Sequence, residues 1–584
     1  MPSIPNPDLI NKTDTSLTTF TIEVNGEVIP ATYNVVSIDI SQTINQISFT
    51  RILLYDGDAA KQEFEISTGN TFETGSNIVV KSGYNLNEKK LFSGVVTKQR
   101  IKIKRSGGSL LYIEARDEAF KMTLDRKSRY FKELSDGDLF DQICQEYGIS
   151  TDIELLGEPY PEIVQYQVSD WDFIVTRAER LGHYCLYSSG KLKIKKMVPS
   201  ISAVGKFTYG VDILDADLEL ESRTQFESVE ASAWDYTSQE LIKTDISEVN
   251  DPDHGFREGN KIAEVGKVNP LSLKHSGSLT QQEIETWAEA QMIKSRFAKI
   301  RGTVKVQGTS GIFPGDSVEL KGVGKRFSGN AFVSGIRHTI GDGNWTTTLQ
   351  IGHSEKWHLE QYQVNSLPGA YFNPAINGLQ IGVVTQLQED PAGENRILVK
   401  IPSINNDDEG TWCRLALPDA GANRGIVWLP EIDDEVIVGF INDDPNYPVV
   451  LGMLHSSAKP SPLDASDDNH IKGIITRGDM RITFDDEKNI LSLLTPSGNT
   501  IMLNEDGGNI SINDENDNKI ILDSNGITIE SSKDIIMKAQ GDIKTEGVNI
   551  KNSASAGFEA EGSASSKLSS SGTMDIKGSI VNIN

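Results

Sequence analysis

The sequence predicts a mainly β protein, with tandem β-barrels around a small helical insert, then a small Greek-key barrel, then a C-terminal β-helix or β-prism. Three observations predict it. Strand-type alternation of apolar and polar residues dominates the first 365 residues. Five short apolar runs separated by Gly and Asp turns crowd into 379–456. Paired isoleucines and leucines then recur at a period near eight to ten through 473–584.

Residues 20–28 (FTIEVNGEV), 33–40, 46–54 (QISFTRILL) and 109–115 alternate and are enriched in β-branched side chains, so each reads as a strand. Lys98, Arg100, Lys102 and Lys104 alternate with Gln99, Ile101 and Ile103. That stretch reads as a strand with a solvated cationic face, or as a docking patch for an acidic partner. Helical spacing is rare. One helix is predicted over about 136–147, where Leu139, Phe140, Ile143 and Cys144 share a face and Asp136 or Asp138 would cap. A second covers 170–182, with Asp170 as N-cap and Gly182 as the C-terminal stop. A third covers 280–298, opened by Thr280 with Glu283 in capping-box position.

An internal repeat links the two ends of this region. Phe72, Gly75, Ile78, Val80 and Lys81 precede an FSG turn at Phe92–Gly94 and a strand at Val95. Phe313, Gly315, Val318, Leu320 and Lys321 precede a second FSG turn at Phe327–Gly329 and a strand at Phe332. The repeat predicts two similar barrels within 1–365, with the helical insert at about 121–198 between them.

Residues 366–378 (SLPGAYFNPAING) read as a linker. The five runs that follow, 380–387, 395–401, 411–416, 435–441 and 448–454, fit a small barrel of the OB type. A second linker, 458–469, leads into the repetitive end. There Ile482/Phe484, Leu491/Leu493, Ile501/Leu503, Ile510/Ile512, Ile520/Leu522 and Ile527/Ile529 form apolar pairs; Ile527, Ile535 and Ile543 then fall eight apart. The apolar stripe is thin. One chain cannot enclose a core with it, whereas three chains sharing an axis can, and the closure would pair every strand edge. About twelve stacked layers at ~4.8 Å would give a rod on the order of 60 Å. Apolar Ile580, Val581 and Ile583, beside Asn582 and Asn584, predict a covered surface at the far end.

Chemistry is sparse. A net charge of −27 argues against nucleic acid as a partner. The N-terminus has neither the basic nor the apolar region of a Sec-type leader, and no apolar run is long enough to span a membrane. The three cysteines (Cys144, Cys185 and Cys413) have no metal or disulfide spacing and read as small buried hydrophobes. His353 and His358 match no ligand motif. Asp433/Asp434 and Asp485/Asp486 lie in predicted turns, where paired carboxylates serve solvation rather than glycoside hydrolysis. Trp412 and Trp428 read as core residues of the small barrel. No catalytic, cofactor-binding or metal site is predicted.

The order of parts resembles the VgrG family and related phage tail hub–spike proteins. The motifs that carry the resemblance are Ser169–Ile174 continuing to Arg180–Tyr184, Phe313–Asp316, Arg326–Gly329, Trp412, Pro430–Val436, Asp444–Pro445 and Pro448–Gly452. Leu53–Asp58 and the basic turn Asp125–Phe131 are most similar to spikes of extracellular contractile injection systems. The resemblance implies a hub (1–365), an OB domain (379–456) and a β-helical spike (473–584). It implies a homotrimer that adapts a three-fold spike to a six-fold tube of Hcp-like hexamers. It also implies contacts with baseplate proteins, a PAAR-like tip protein on Ile580–Asn584, and only transient contact with a target membrane. The protein would be made in a bacterial cytoplasm and carried outside in the particle. No lysozyme domain follows the OB region and no enzymatic extension follows the spike, so the resemblance implies a structural protein without enzymatic activity or cofactor. The competing reading is a trimeric β-helical tailspike that binds or degrades polysaccharide, which the single aromatic residue after Phe484 disfavours. A type VI spike is a variant of the same architecture.

Overall fold

The computed structural model describes residues 17–583 other than 106–107, 155–156, 199–201, 256–257, 366–368 and 370–371. The N-terminal stretch discussed above, part of the 366–378 linker and Asn584 lie outside the described residues. The chain forms two units: 1–377 with 440–446, and 378–439 with 447–584.

The first unit opens with strands β1 (Thr18–Val24), β2 (Glu27–Val28), β3 (Val35–Thr43) and β4 (Phe49–Tyr55), a short helix α1 (Glu65–Thr68), then β5 (Asn77–Tyr84), β6 (Asn87–Lys102) and β7 (Leu110–Arg116). Alternation sends Ile38, Ile40, Ile52, Leu54, Ile78, Val80 and Ile113 inward, all essentially fully buried in one core.

The helical insert follows: β8 (Arg126–Leu134), α2 (Asp136–Glu146), β9 (Ser150–Ile153), β10 (Tyr160–Ser169), α3 (Asp170–Arg180), β11 (His183–Ser188) and β12 (Lys191–Lys196). The i, i+3/i+4 residues of α2 pack on Ile174, Val175 and Ala178 of α3, in a core that also holds Cys185. The N-caps differ from expectation. Ser135 Oγ accepts the Asp138 N–H and Ser169 Oγ accepts the Asp172 N–H, each serine also bonding the aspartate carboxylate. The cap is the serine one residue before the first acid, so Asp136, Asp138 and Asp170 sit inside the first turn, where they face the helix dipole. Gly182, in the left-handed region at φ +71°, ends α3 as predicted.

Next come β13 (Gly205–Thr208), β14 (Ile213–Leu220), β15 (Val229–Asp235), β16 (Glu240–Ile246), α4 (Gly259–Ala263), β17 (Leu271–His275), α5 (Gln281–Phe297), β18 (Ile300–Gln307), β19 (Ser317–Lys321), β20 (Gly329–Gly341), β21 (Asn344–Ile351) and α6 (His358–Gln361). Thr280 and Glu283 form the predicted capping box of α5. Residues 221–299 are a second insert, which the sequence pattern had not separated. In it, Ala231 and Ala233 of β15 pack on Ile284, Ala288 and Met292 of α5.

The internal repeat holds at the level of single hydrogen bonds. Gly75 N–H donates to Val96 O (2.8 Å) and Val96 N–H to Ser76 O (2.9 Å); Gly315 N–H donates to Val333 O (2.8 Å) and Val333 N–H to Asp316 O (2.8 Å). Gly75 and Gly315 have φ of +97° and +95°, a region that side chains disfavour. The first copy orders its strands β3-β4-β7-β6-β5 and the second β14-β18-β21-β20-β19. Each has a register shift at the same two places: Val96/Lys98 matches Val333/Gly335, and Val35/Ser37 matches Ile213/Asp215. The two copies share one sheet, because β20 of the second pairs with β3 of the first.

The second unit contains the closed barrel β22 (Gln380–Gln386), β23 (Ile397–Lys400), β24 (Thr411–Leu415), β27 (Glu435–Phe440) and β28 (Pro448–Met453), with the small hairpin β25 (Ala420–Gly421) and β26 (Arg424–Gly425) in a loop. Its five strands fall within two residues of the predicted ones. A seven-stranded antiparallel sheet follows: β29 (Ile471–Ile475), β30 (Arg481–Asp485), β31 (Ile490–Leu494), β32 (Thr500–Asn504), β33 (Asn509–Asn513), β34 (Lys519–Asp523) and β35 (Gly526–Glu530).

One buried charge ties the insert together. The Asp170 side chain is fully buried and meets Lys127 Nζ (2.8 Å) and Arg129 Nη2 (2.7 Å). It also accepts hydrogen bonds from Tyr147 (2.7 Å) and Gln165 (2.8 Å). Burial pushes its pKa up, but the bonds from Lys127, Gln165 and Tyr147 and the nearby Arg129 outweigh burial and hold it below the ordinary carboxylate range. Asp170→Ala should cost about 3 kcal/mol, the low end for breaking a buried pair, since both cations remain partly exposed. Because the folded-state pKa is depressed, the contribution is present above the unfolded value of about 3.9 and lost as pH falls through the folded one. Urea titrations at several acidic pH values should show a flatter loss of stability in Asp170→Asn than in the parent; identical acid limbs would remove Asp170 from this role.

Candidate assembly surfaces

The register of the C-terminal sheet turns the sequence pairs into two columns. Ile474 lies opposite Ile482, then Leu493, Ile501, Ile512, Ile520 and Ile529 follow strand by strand. Phe484, Leu491, Leu503, Ile510, Leu522 and Ile527 form the second column. Members of a strand's pair are two residues apart, so both columns stand on one face of the sheet. Thr483, Ser492, Met502, Ser511, Ile521 and Thr528 stand on the other. Among the described residues the columns stay largely uncovered: Ile501 is 41% exposed, Leu503 43% and Ile529 58%. A contiguous apolar face of this size marks a contact surface.

Residues 531–583 go further. Among the described residues they contain no strand and make no backbone–backbone hydrogen bond. The octad residues Ile535, Ile543, Ile550 and Phe558 are all more than half exposed. Ile580 is 81% exposed, Val581 47% and Ile583 86%, with Asn582 exposed between them. Asn584, the last of the expected docking residues, lies outside the described residues.

The candidates for chemistry are held in structural roles. Asp434 bonds Lys459 Nζ (2.8 Å) and accepts the Glu431 N–H (2.9 Å), closing the turn before β27. Asp485 accepts the N–H groups of Glu487 and Lys488 (both 3.1 Å), and Asp486 pairs with Lys472. His358 Nε2 lies 2.8 Å from Asp172 Oδ1, tying α6 to α3. His353 is buried, and burial, with Lys294 and Arg301 nearby, pushes its pKa down to about 3. Among the described residues, no three His, Cys, Asp or Glu side chains could hold a metal. All three cysteines are free and buried. Trp412 is half-buried on β24, but Trp428 is 44% exposed on the loop after β26, so it is not the core residue expected. The barrel closes without it around Val384, Val399, Cys413, Val436, Val438 and Val450.

A family model described as the Alg8 N-terminal domain matches residues 14–342. One described as the type VI secretion system/phage-baseplate injector OB domain matches residues 380–455, the closed barrel. No curated protein matches the chain. Among solved structures, the chain is similar to the 43 kDa tail protein of prophage MuSo2 from Shewanella oneidensis, at 13% identity and a TM-score of 0.45, covering 58% of this chain and 99% of that one. A tail protein from Neisseria meningitidis MC58 matches at 15% identity and a TM-score of 0.43, covering 58% and 98%. The Francisella PdpA–VgrG complex matches at 11% identity and a TM-score of 0.37, covering 90% and 82%.

If the columns are covered in solution, Ile501→Asp should bury an unpaired carboxylate at a cost of several kcal/mol. Hydrogen exchange over 490–512 should then rise sharply, and much less for Ser492→Asp on the other face. Equal, small effects would mean that the columns face water.

Proposed function

This chain belongs to the Alg8 N-terminal domain family, and we propose that it works as the trimeric hub and central spike of a contractile, phage-tail-like injection machine. It is a structural protein of the phage-baseplate and type VI spike kind, with a VgrG-like order of parts. The observation that carries the finer reading is the C-terminal region, with two uncovered apolar columns followed by 53 residues, 531–583, without strand pairing inside the chain. Burying about 25 cal/mol per Å² of such surface against copies of itself is the strongest driving force available to this segment. Three copies around one axis would cover the columns and let each unpaired segment hydrogen-bond to its neighbours.

The duplicated first unit fits the same symmetry. Three chains with two equivalent sheet halves each present six, which meets a six-fold tube of Hcp-like hexamers without mismatch. The exposed Ile580, Val581, Asn582 and Ile583, with Asn584, form the seat for a PAAR-like tip protein. Contraction of a sheath supplies the energy, and this chain transmits it through a target envelope. Asp434, Asp485, Asp486 and His358 are engaged in turns and helix contacts, which supports a mechanical role over a catalytic one. Export as part of the particle follows from the same reading, and an extracellular particle fits the Leu53–Asp58 and Asp125–Phe131 motifs.

Light scattering coupled to size exclusion should return a mass near three times 64.1 kDa. A folded monomer would overturn the reading. Ile580→Asp with Ile583→Asp should leave that mass unchanged and abolish capture of the tip protein produced with the particle; retained capture would place the tip elsewhere.

A further inference from the structure

The internal repeat gives a template for a contact between copies. Inside one chain, the second half docks on the first through β20 and β3, antiparallel, with Gly335 opposite Thr43, Arg337 opposite Ser41, Thr339 opposite Asp39 and Gly341 opposite Ser37. Arg337 and Thr339 both reach Asp39 Oδ1, each at 3.0 Å. The matching hydrogen bonds and register shifts make β6 the counterpart of β20 and β14 the counterpart of β3, with Val96 equivalent to Val333 and Val35 to Ile213.

Among the described residues, those counterpart edges pair with no further strand. Strand β14 is the last strand at one end of its sheet, paired with β18 and, at Ile213 alone, bridged to Tyr209. Beyond its register shift, β6 is bonded only to β7. Ile103, the equivalent of Ile340, is 72% exposed, whereas Ile340 is buried in the core of the other half. We propose that the β6 edge of one copy pairs antiparallel with the β14 edge of a second copy of this chain, repeating the β20–β3 contact. The proposal rests on the multi-copy reading above and adds to it the surface, the partner and the register.

Carrying the template register across gives a result that the template did not contain. Lys98 falls opposite Glu221, Arg100 opposite Glu219, Lys102 opposite Asp217 and Lys104 opposite Asp215, with Ile101 opposite Leu218 between them. Four cations meet four carboxylates in one register, and a shift of one residue would set each charge opposite an uncharged residue. Among the described residues Lys98, Lys102, Lys104, Asp215 and Asp217 have no ion pair; Arg100 lies over the Tyr112 ring at 5.5 Å, Glu219 reaches Arg301 at 3.2 Å, and Glu221 pairs with Arg223. The contact is head-to-tail, and three copies related by a three-fold rotation would close it into a ring that satisfies every edge it uses.

Ile101→Cys with Leu218→Cys tests it in the full chain. Both positions lie on the sheet edges, with six strands between them in one chain, and the native cysteines are buried. Under mild oxidation, non-reducing gels should show chains linked to the mass of a closed ring of three. The shifted pair Ile101→Cys with Ala216→Cys should link at least tenfold less. Lys98→Glu with Lys102→Glu should suppress linking, and adding Glu221→Lys with Asp217→Lys should restore it. A trimeric mass with no linking, or equal linking in both registers, overturns this edge contact and leaves the shared C-terminal core standing. A monomeric mass overturns both.

Discussion

A β-strand edge that is not hydrogen-bonded must face water or find another strand, and this constraint organises the whole chain. In the small barrel the edge problem is solved by closure, since β22, β23, β24, β28 and β27 return on themselves. In the first unit it is solved halfway: β20 caps the β3 edge, and β6 and β14 stay open. Beyond Glu530 it is not solved within the chain at all. The gradient from closed to open runs with the apolar content, for the barrel has a full core of valines while the C-terminal sheet has two columns and no lid.

The duplication explains why the open edges are where they are. Two halves with the same strand order and the same two bulges must dock through the same pair of strands, and a single chain can make that contact only once. The contact made inside the chain is permanent and uses one Arg337–Asp39 pair among small residues. A contact made between chains has to be found in solution, and opposed charges select partner and register before any apolar surface is buried. The density of charge on β6 and β14, against its scarcity on β20 and β3, is what the proposed contact between chains would call for.

Much of this was legible in the sequence because it rests on local rules. Alternation located the barrel strands, Thr280 and Glu283 marked the start of α5, and Gly182 the end of α3. The apolar pairs from Ile482 to Ile529 named the columns that the register later aligned. The misses have physical causes. Sequence alone does not single out Ser135 and Ser169 as caps, because the acids beside them are also good cap residues and only the backbone dihedral separates N-cap from first turn. The insert at 221–299 was hidden because β15 pairs with β17 across about forty residues, a non-local contact without local period. Trp428 was assigned to a core by residue type alone, and a loop position overrode it.

The buried charges of the first unit fix how its elements meet. Asp170 holds Lys127 and Arg129, so the SDWDFI and basic-turn motifs that carry the family resemblance meet at one carboxylate. Glu179 of α3 takes Lys294 of α5 at 2.5 Å and the His358 N–H at 2.6 Å, joining both inserts and α6. Arg177 binds Asp136 across the two insert helices. A buried ion pair contributes little net stability compared with an apolar contact of the same volume, but it penalises any rearrangement that separates its partners. Asp170 and Glu179 each bond both a cation and an amide of the protein itself, and Asp136 bonds Arg177. Under the proposed role, a scaffold that transmits force between a tube and a spike would gain more from fixed geometry than from added stability, and the buried pairs supply fixed geometry at the junctions between elements.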